Sequence, residues 1–186
     1  MFSGKTDRLI TRFERARAAG TKVVALKPAR DGRHAPDRIV SHSGREIPAV
    51  SVRSLVEVDD LGRANELVLI DELQFFEPEL GATVASLRAA GVEILAVGLD
   101  RDFRREEFET TASLARAASR VVPLTGICSR CGNEAVLTQR LIDGVPAPLE
   151  APRLLVGDAG LYEPRCERCW IEERGVEERG AVRAGP

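Results

Sequence analysis

The stretch "LVLIDELQFF" (residues 67–76) sets the fold class. Four apolar residues in a row read as a strand buried on both faces, the kind found in the middle of a parallel sheet. The run ends on two adjacent carboxylates, Asp71 and Glu72. Acids at the carboxyl end of such a strand are where α/β proteins gather ligands. An apolar strand that delivers an aspartate to the sheet edge is also how Mg²⁺ is organised at phosphoryl-transfer sites. A solvated strand end is the plain alternative reading.

Upstream, the chain begins "MFSGKT" (1–6), followed by a helical pattern over 5–19 with Leu9, Ile10 and Phe13 on one face and Gly20 as a stop. "SGKT" supplies the last letters of the phosphate-binding pattern G-x-x-x-x-G-K-[ST]; the first glycine lies outside this chain. Backbone N–H groups at a helix N-terminus attract phosphate oxygens. Lys5 would neutralise them and the Thr6 hydroxyl would ligate Mg²⁺. Lysine is scarce: the 27 basic residues include only Lys5, Lys22 and Lys27, the rest being arginine.

Strands are also expected at "KVVAL" (22–26), within "IVSHSGREIPAVSV" (39–52), at "EILAVGLD" (93–100) and at "RVVPLT" (120–125), with helices over 78–90 and 110–119. Strands alternating with helices predict an α/β domain with a mainly parallel sheet. Asp100 and Asp102 join Asp71 and Glu72 at strand ends. Phe75, Phe76, Phe103 and Phe108 follow strand ends too, as core or as a wall for a base. His34 and His42 lie in a polar region and take no role.

From Gly126 the βα rhythm stops. Cys128 and Cys131 form one C-x-x-C, Cys166 and Cys169 another, and these are all 4 cysteines of the chain. Two such pairs read as a closed tetrahedral zinc site, with a redox pair as the alternative. The loop between the pairs is longer than a zinc ribbon needs, so it should carry something of its own. The expected division is a nucleotide-binding domain (1–125), a zinc-and-loop domain (126–170) and a disordered tail (171–186).

With 186 residues and a formal charge of −2, the chain offers no basic field for nucleic acid. No apolar run is long enough for a membrane span, and no signal peptide is evident, so a cytoplasmic protein is expected.

The order "MFSGKT", "KPARDGR", "IDELQFF", "GLDRDFRREEF", "CSRCG", "TQRL", "LVGDAGLYEPRC", "CERC" resembles the zinc-containing type II thymidine kinases over residues 1 to about 170. The resemblance implies a P-loop, RecA-like kinase domain with a zinc-ribbon and lasso domain. It implies transfer of phosphate from ATP to the 5′-hydroxyl of thymidine. Ser3, Gly4, Lys5 and Thr6 would hold the ATP phosphates and Mg²⁺ with Asp71; Asp31, Arg33 and Gln74 would complete the nucleotide site. Glu72 would be the general base. Leu99, Phe103, Phe108, Arg153, Leu154, Leu155, Val156, Gly157 and Tyr162 would surround the nucleoside, the lasso reading thymine through its backbone. Zn²⁺ on Cys128, Cys131, Cys166 and Cys169 would anchor that loop. The resemblance further implies a homotetramer inhibited by dTTP. The family's strand and Gly-Pro or Gly-Ser before M-F-S-G-K-T are absent here, so a start further upstream and a poorly active chain are expected. Another P-loop phosphotransferase or ATPase, or a zinc-stabilised nucleotide-binding module, are the rival readings.

Overall fold

A computed structural model describes residues 2–31, 37–153 and 161–171. Arg33, Leu154, Leu155, Val156, Gly157 and all but the first residue of the expected tail lie outside them.

Helix α1 (Lys5–Ala18) buries Leu9, Ile10, Phe13 and Ala16, an i, i+1, i+4, i+7 stripe that fits one helical face. It ends before Gly20, which takes the left-handed φ of 77°. Strand β1 (Val23–Pro28) follows, then a hairpin of β2 (Arg38–Val40) and β3 (Glu46–Pro48), and the short β4 (Val50–Val52). Helix α2 (Leu55–Arg63) leads to β5 (Leu67–Ile70), a 3₁₀ turn over Leu73–Phe75, α3 (Leu80–Ala89), β6 (Glu93–Ala96) and α4 (Glu109–Ala117).

Four strands form one parallel sheet in the order β4-β1-β5-β6. Central β5 is buried at every position, as its unbroken apolar run requires. Its residues divide between two layers. Leu67 and Leu69 pack with Ala25 and the α1 stripe. Val68 and Ile70 pack with Leu26, Val58, Leu80 and Leu87 under α2 and α3. The mixed α/β architecture with a parallel sheet matches the sequence expectation.

Two expectations need correction. Residues 120–125 are not a strand: they carry no sheet pairing, and Val121 and Val122 are exposed. Among the described residues no strand lies beyond β6 in the sheet, so this apolar run has no ladder to join, and Pro123 removes one donor. Helix α2, in turn, was not anticipated between 52 and 67. Its signal was a capping box: the Ser54 hydroxyl accepts the Glu57 N–H (3.3 Å), and the Glu57 carboxylate accepts the Arg53 N–H (3.0 Å).

The C-terminal part is built from short antiparallel pairs. Strands β7 (Gly126–Ile127) and β8 (Glu134–Ala135) flank the first cysteine pair. Strand β9 (Leu137–Ile142) lies between β10 (Val145–Pro146) and β11 (Tyr162–Arg165), which leads into the second pair.

Helices α2 and α3 meet at Gly62. A Cβ there would lie 2.5 Å from a methyl of Leu87, which is fully buried and cannot swing aside. Gly62→Ala should therefore lower stability by about 1–3 kcal/mol despite alanine's better helix propensity, read as a lower urea midpoint at unchanged slope. An unchanged or higher midpoint would show that this contact has slack.

Candidate active site

The carboxyl end of β5 meets the N-terminus of α1. Gly4 caps that helix at φ 72°, a conformation glycine adopts without a Cβ penalty. Lys5 Nζ donates to Ser3 Oγ at 3.2 Å. The Thr6 hydroxyl reaches Asp71 Oδ2 at 3.4 Å, which joins the helix start to the end of β5. Asp71 is buried; its N–H donates to the Leu26 carbonyl (2.9 Å), and its Oδ1 accepts the Glu72 N–H (2.9 Å). A hydroxyl and a carboxylate converging at a helix N-terminus are hard oxygen donors, which suit Mg²⁺ with phosphate oxygens.

Glu72 sits in the left-handed region, φ 57° and ψ 48°, uncommon for a residue with a side chain. This turn points it away from the strand. Gln74 then holds it: its Nε2 donates to the Glu72 carboxylate, and its Oε1 accepts the Leu99 N–H at 3.0 Å. The carboxylate is thus fixed by a buried amide that is itself fixed by the backbone just beyond β6. The close approach depends on Gly98. A Cβ there would lie 2.6 Å from Leu73 Cβ and 3.1 Å from Gln74 Oε1. Gly98 went unnoticed in the sequence because it sits inside an apolar run; a glycine near a strand end is a signal of close backbone approach.

Lys27 was also missed. It is a buried lysine, 2% exposed. The pairing of Leu26 with Ile70 puts Lys27 level with Asp71 on the neighbouring strand. Both alternate onto the α1 side, with Ala25 and Leu69. A positive charge there offsets the cost of burying Asp71; Asp31 is equally buried. Asp31 closes a turn at the end of β1, its N–H donating to the Pro28 carbonyl at 3.0 Å.

Beside the helix start, Asp7 is held by the Ser43 hydroxyl at 2.6 Å and lies 3.8 Å from Arg45. That hydroxyl, helped by Arg45, keeps its carboxyl below the usual range. These contacts dock the β2–β3 hairpin onto α1.

On the other side of the sheet edge lie Leu99, Phe103 and Phe108. Phe103 and Phe108 are buried. Arg104 and Arg140 each lie 5.5 Å over the Phe103 ring. Arg153 lies 5.0 Å over Phe108 and pairs with Asp102. Tyr162 is half-buried on β11, opposite Arg140 of β9. A groove of about 510 Å³ along the C-terminal half of α1 and β3–β4 is separate from this cluster and lined by none of these residues.

The fold brings all four cysteines together, their sulfurs within 4.8 Å of one another. Cys131 and Cys166 are 3.6 Å apart. Four Zn–S bonds of ~2.3 Å at tetrahedral angles place sulfurs about 3.8 Å apart, so the set fits zinc. Both pairs turn tightly: the Gly132 N–H bonds the Cys128 carbonyl (2.9 Å), and the Cys169 N–H bonds the Cys166 carbonyl (3.0 Å). Burial opposes ionisation of Cys128, yet the backbone N–H groups of Cys166, Arg130 and Cys131 together bring its thiol down to about 6. Cys169 moves the other way, to about 12, because its thiol bonds Cys131 and Cys166. One thiolate forms readily and then opposes the next, which a divalent cation reverses.

A family model described as thymidine kinase matches residues 1–170. The chain belongs to the thymidine kinase family. That membership implies an ATP-dependent phosphotransferase, with thymidine and ATP as the family's substrates. Among solved structures, a crystal structure of Bacteroides Pif1 bound to ssDNA is 14% identical with a TM-score of 0.30. The match covers 66% of this chain and 32% of that one, and a likeness so low bears on neither fold nor function. Among the described residues no helix is long and apolar enough to cross a membrane.

Zinc uptake should release protons at neutral pH. Cys128 ionises near 6 while Cys169 holds its proton far above neutrality, so affinity should rise with pH from below 6 to 8. Competition with a chromophoric chelator at pH 5.5 and 7.5 checks this; equal affinity at both would rule out a four-thiolate site. Cys128→Ser should abolish stoichiometric uptake.

Proposed function

We propose that this member of the thymidine kinase family transfers the γ-phosphoryl group of ATP to the 5′-hydroxyl of thymidine, giving thymidine monophosphate. The observation that carries the reading is the Glu72 carboxylate, turned out of β5 by left-handed backbone and tied by Gln74 to Leu99, next to an Asp71 that meets Thr6 at the start of α1.

In this reading the domain of residues 1–125 is a P-loop kinase fold. Ser3, Gly4 and Lys5 bind the phosphates, and Asp31 and Arg33 lie beside them. Thr6 and Asp71 would hold Mg²⁺, which would supply charge screening for the phosphoryl group. Glu72 takes the 5′-hydroxyl proton as the oxygen attacks phosphorus, and ADP leaves. Little covalent help is needed; position matters most. Gln74 serves here chiefly by holding Glu72.

Leu99, Phe103, Phe108, Tyr162 and the segment 153–157 form the nucleoside side. Zinc on the four cysteines is structural and supports that segment. A cytoplasmic homotetramer inhibited by dTTP completes the proposal.

The test is thymidine-dependent transfer from ATP, with deoxycytidine as control acceptor. Transfer to thymidine alone supports the reading; nucleoside-independent ATP hydrolysis overturns it. Glu72→Gln should keep thymidine and ATP affinity and lose about 10²–10⁴-fold in kcat. Undiminished turnover would remove Glu72 from the role of base. Gln74→Leu should cost about 10–100-fold in kcat with KM for ATP little changed, because the base loses its alignment while the phosphate cradle stays.

A further inference from the structure

The loop between β6 and α4 reaches Glu72 through Gln74 and touches the cysteine module directly. At its start the Leu99 N–H holds Gln74, which holds Glu72. From residue 102 it folds into a tight turn built on Asp102. Asp102 Oδ1 accepts the N–H groups of Arg104 (2.8 Å) and Glu106 (3.0 Å), and the Asp102 N–H donates to the Glu106 carbonyl (2.9 Å). Arg105 takes a left-handed φ of 70° within it.

The Asp102 side chain is 1% exposed. A buried carboxylate needs a charged partner or it destabilises the fold. Its second oxygen takes Arg153 Nε at 2.8 Å. Arg153 Nη2 also donates to the Glu107 carbonyl at 2.6 Å, and its guanidinium lies on Phe108. The turn makes three further contacts with the cysteine module. Arg104 Nη2 donates to the Ala151 carbonyl at 2.6 Å. Arg105 pairs with Glu167 at 2.6 Å and lies 5.4 Å over Trp170, both beside the second cysteine pair.

We propose that Arg153 is a positioning residue: through Asp102 it fixes the 99–108 loop, and through Leu99 and Gln74 it fixes Glu72. The Arg153 side chain is 40% exposed, but two of its nitrogens and its planar face are taken up by Asp102, Glu107 and Phe108, so it acts through the loop. This rests on the thymidine-kinase reading and gives one of its residues a specific role.

The test compares Arg153→Met, Arg153→Lys and Asp102→Asn in the full zinc-loaded chain. Asn keeps the acceptor that the turn needs and loses the charge. Arg153→Met should lower kcat/KM for thymidine by about 10–100-fold, with KM for MgATP and zinc per chain unchanged. Arg153→Lys should recover only a minor part, since an ammonium cannot bond Asp102 and Glu107 in one plane and stack on Phe108. Combining Asp102→Asn with Arg153→Met should be no worse than either alone, because both remove one interaction. Wild-type kinetics in Arg153→Met, additive losses, or parallel loss of MgATP affinity and zinc would overturn the proposal. Should the wild-type chain phosphorylate no nucleoside, the kinase reading fails by itself. Hydrogen exchange at the Leu99 amide then decides: faster exchange in Arg153→Met sustains the coupling, and unchanged exchange overturns it.

Discussion

Gln74 is the joint on which the site depends. Its amide has two ends with opposite hydrogen-bonding character, and both are used. The nitrogen donates to Glu72, and the oxygen accepts from Leu99. A carboxylate at a strand end is normally free to rotate in water. Here the left-handed turn at Glu72 costs backbone energy, of order 1–3 kcal/mol, that only surrounding contacts can offset. The turn persists because the Leu73 N–H bonds the Val97 carbonyl at 3.1 Å and because Gly98 lets the two backbones close up. Sheet, turn and side chain therefore specify one orientation for the acid.

The cysteine module extends the same logic beyond the sheet. Around the cysteines the buried cluster is small: Cys128, Ala135 and Cys166 with Cys169 packed against it. A cluster of that size does little to hold the two cysteine turns together, and metal ligation is the usual remedy. Once held, the module presents Glu167 and Trp170 to the 102–106 turn, and Gln139 of β9 secures Ile171 through bonds of 2.8 and 3.1 Å. Through those contacts the cysteine module braces the 102–106 turn.

Much of this was legible in the sequence, because the strongest local signals are the ones tertiary structure rarely overrides. The run at 67–70, the acids that end it, the helical stripe of α1 and the paired cysteines all read correctly from spacing alone. Family membership followed from the order of the motifs. The failures have physical causes. Residues 120–125 have the composition of a strand, but a strand exists only where a neighbour supplies hydrogen bonds, and no window of sequence reports that. Helix α2 is short, and its capping box at 53–57 falls just past the stretch read as strands (39–52). Gly98 and Lys27 matter through what lies opposite them in space; Gly98 sits inside an apolar run, and Lys27 lies just past the expected strand at 22–26. The roles of Asp102 and Arg153 depend on a contact across some fifty residues of chain.

The scarcity of lysine also finds a structural reason at this loop. Arg104, Arg140 and Arg153 each bond a backbone carbonyl, those of Ala151, Pro152 and Glu107, while a flat face rests on Phe103 or Phe108. A guanidinium can donate in its plane and stack above and below it, and it is more weakly hydrated than an ammonium. Those properties suit a junction that is half-buried, rich in carbonyls and lined by aromatic rings. Lysine at the same positions would bring a compact, strongly hydrated charge into a space with no room for its water. The lysine that is buried, Lys27, lies instead level with Asp71 at the sheet edge, where a point charge beside carboxylates is what the electrostatics require. Arginine joins the two parts of the molecule, and at the carboxyl edge of the sheet the buried basic residue is a lysine.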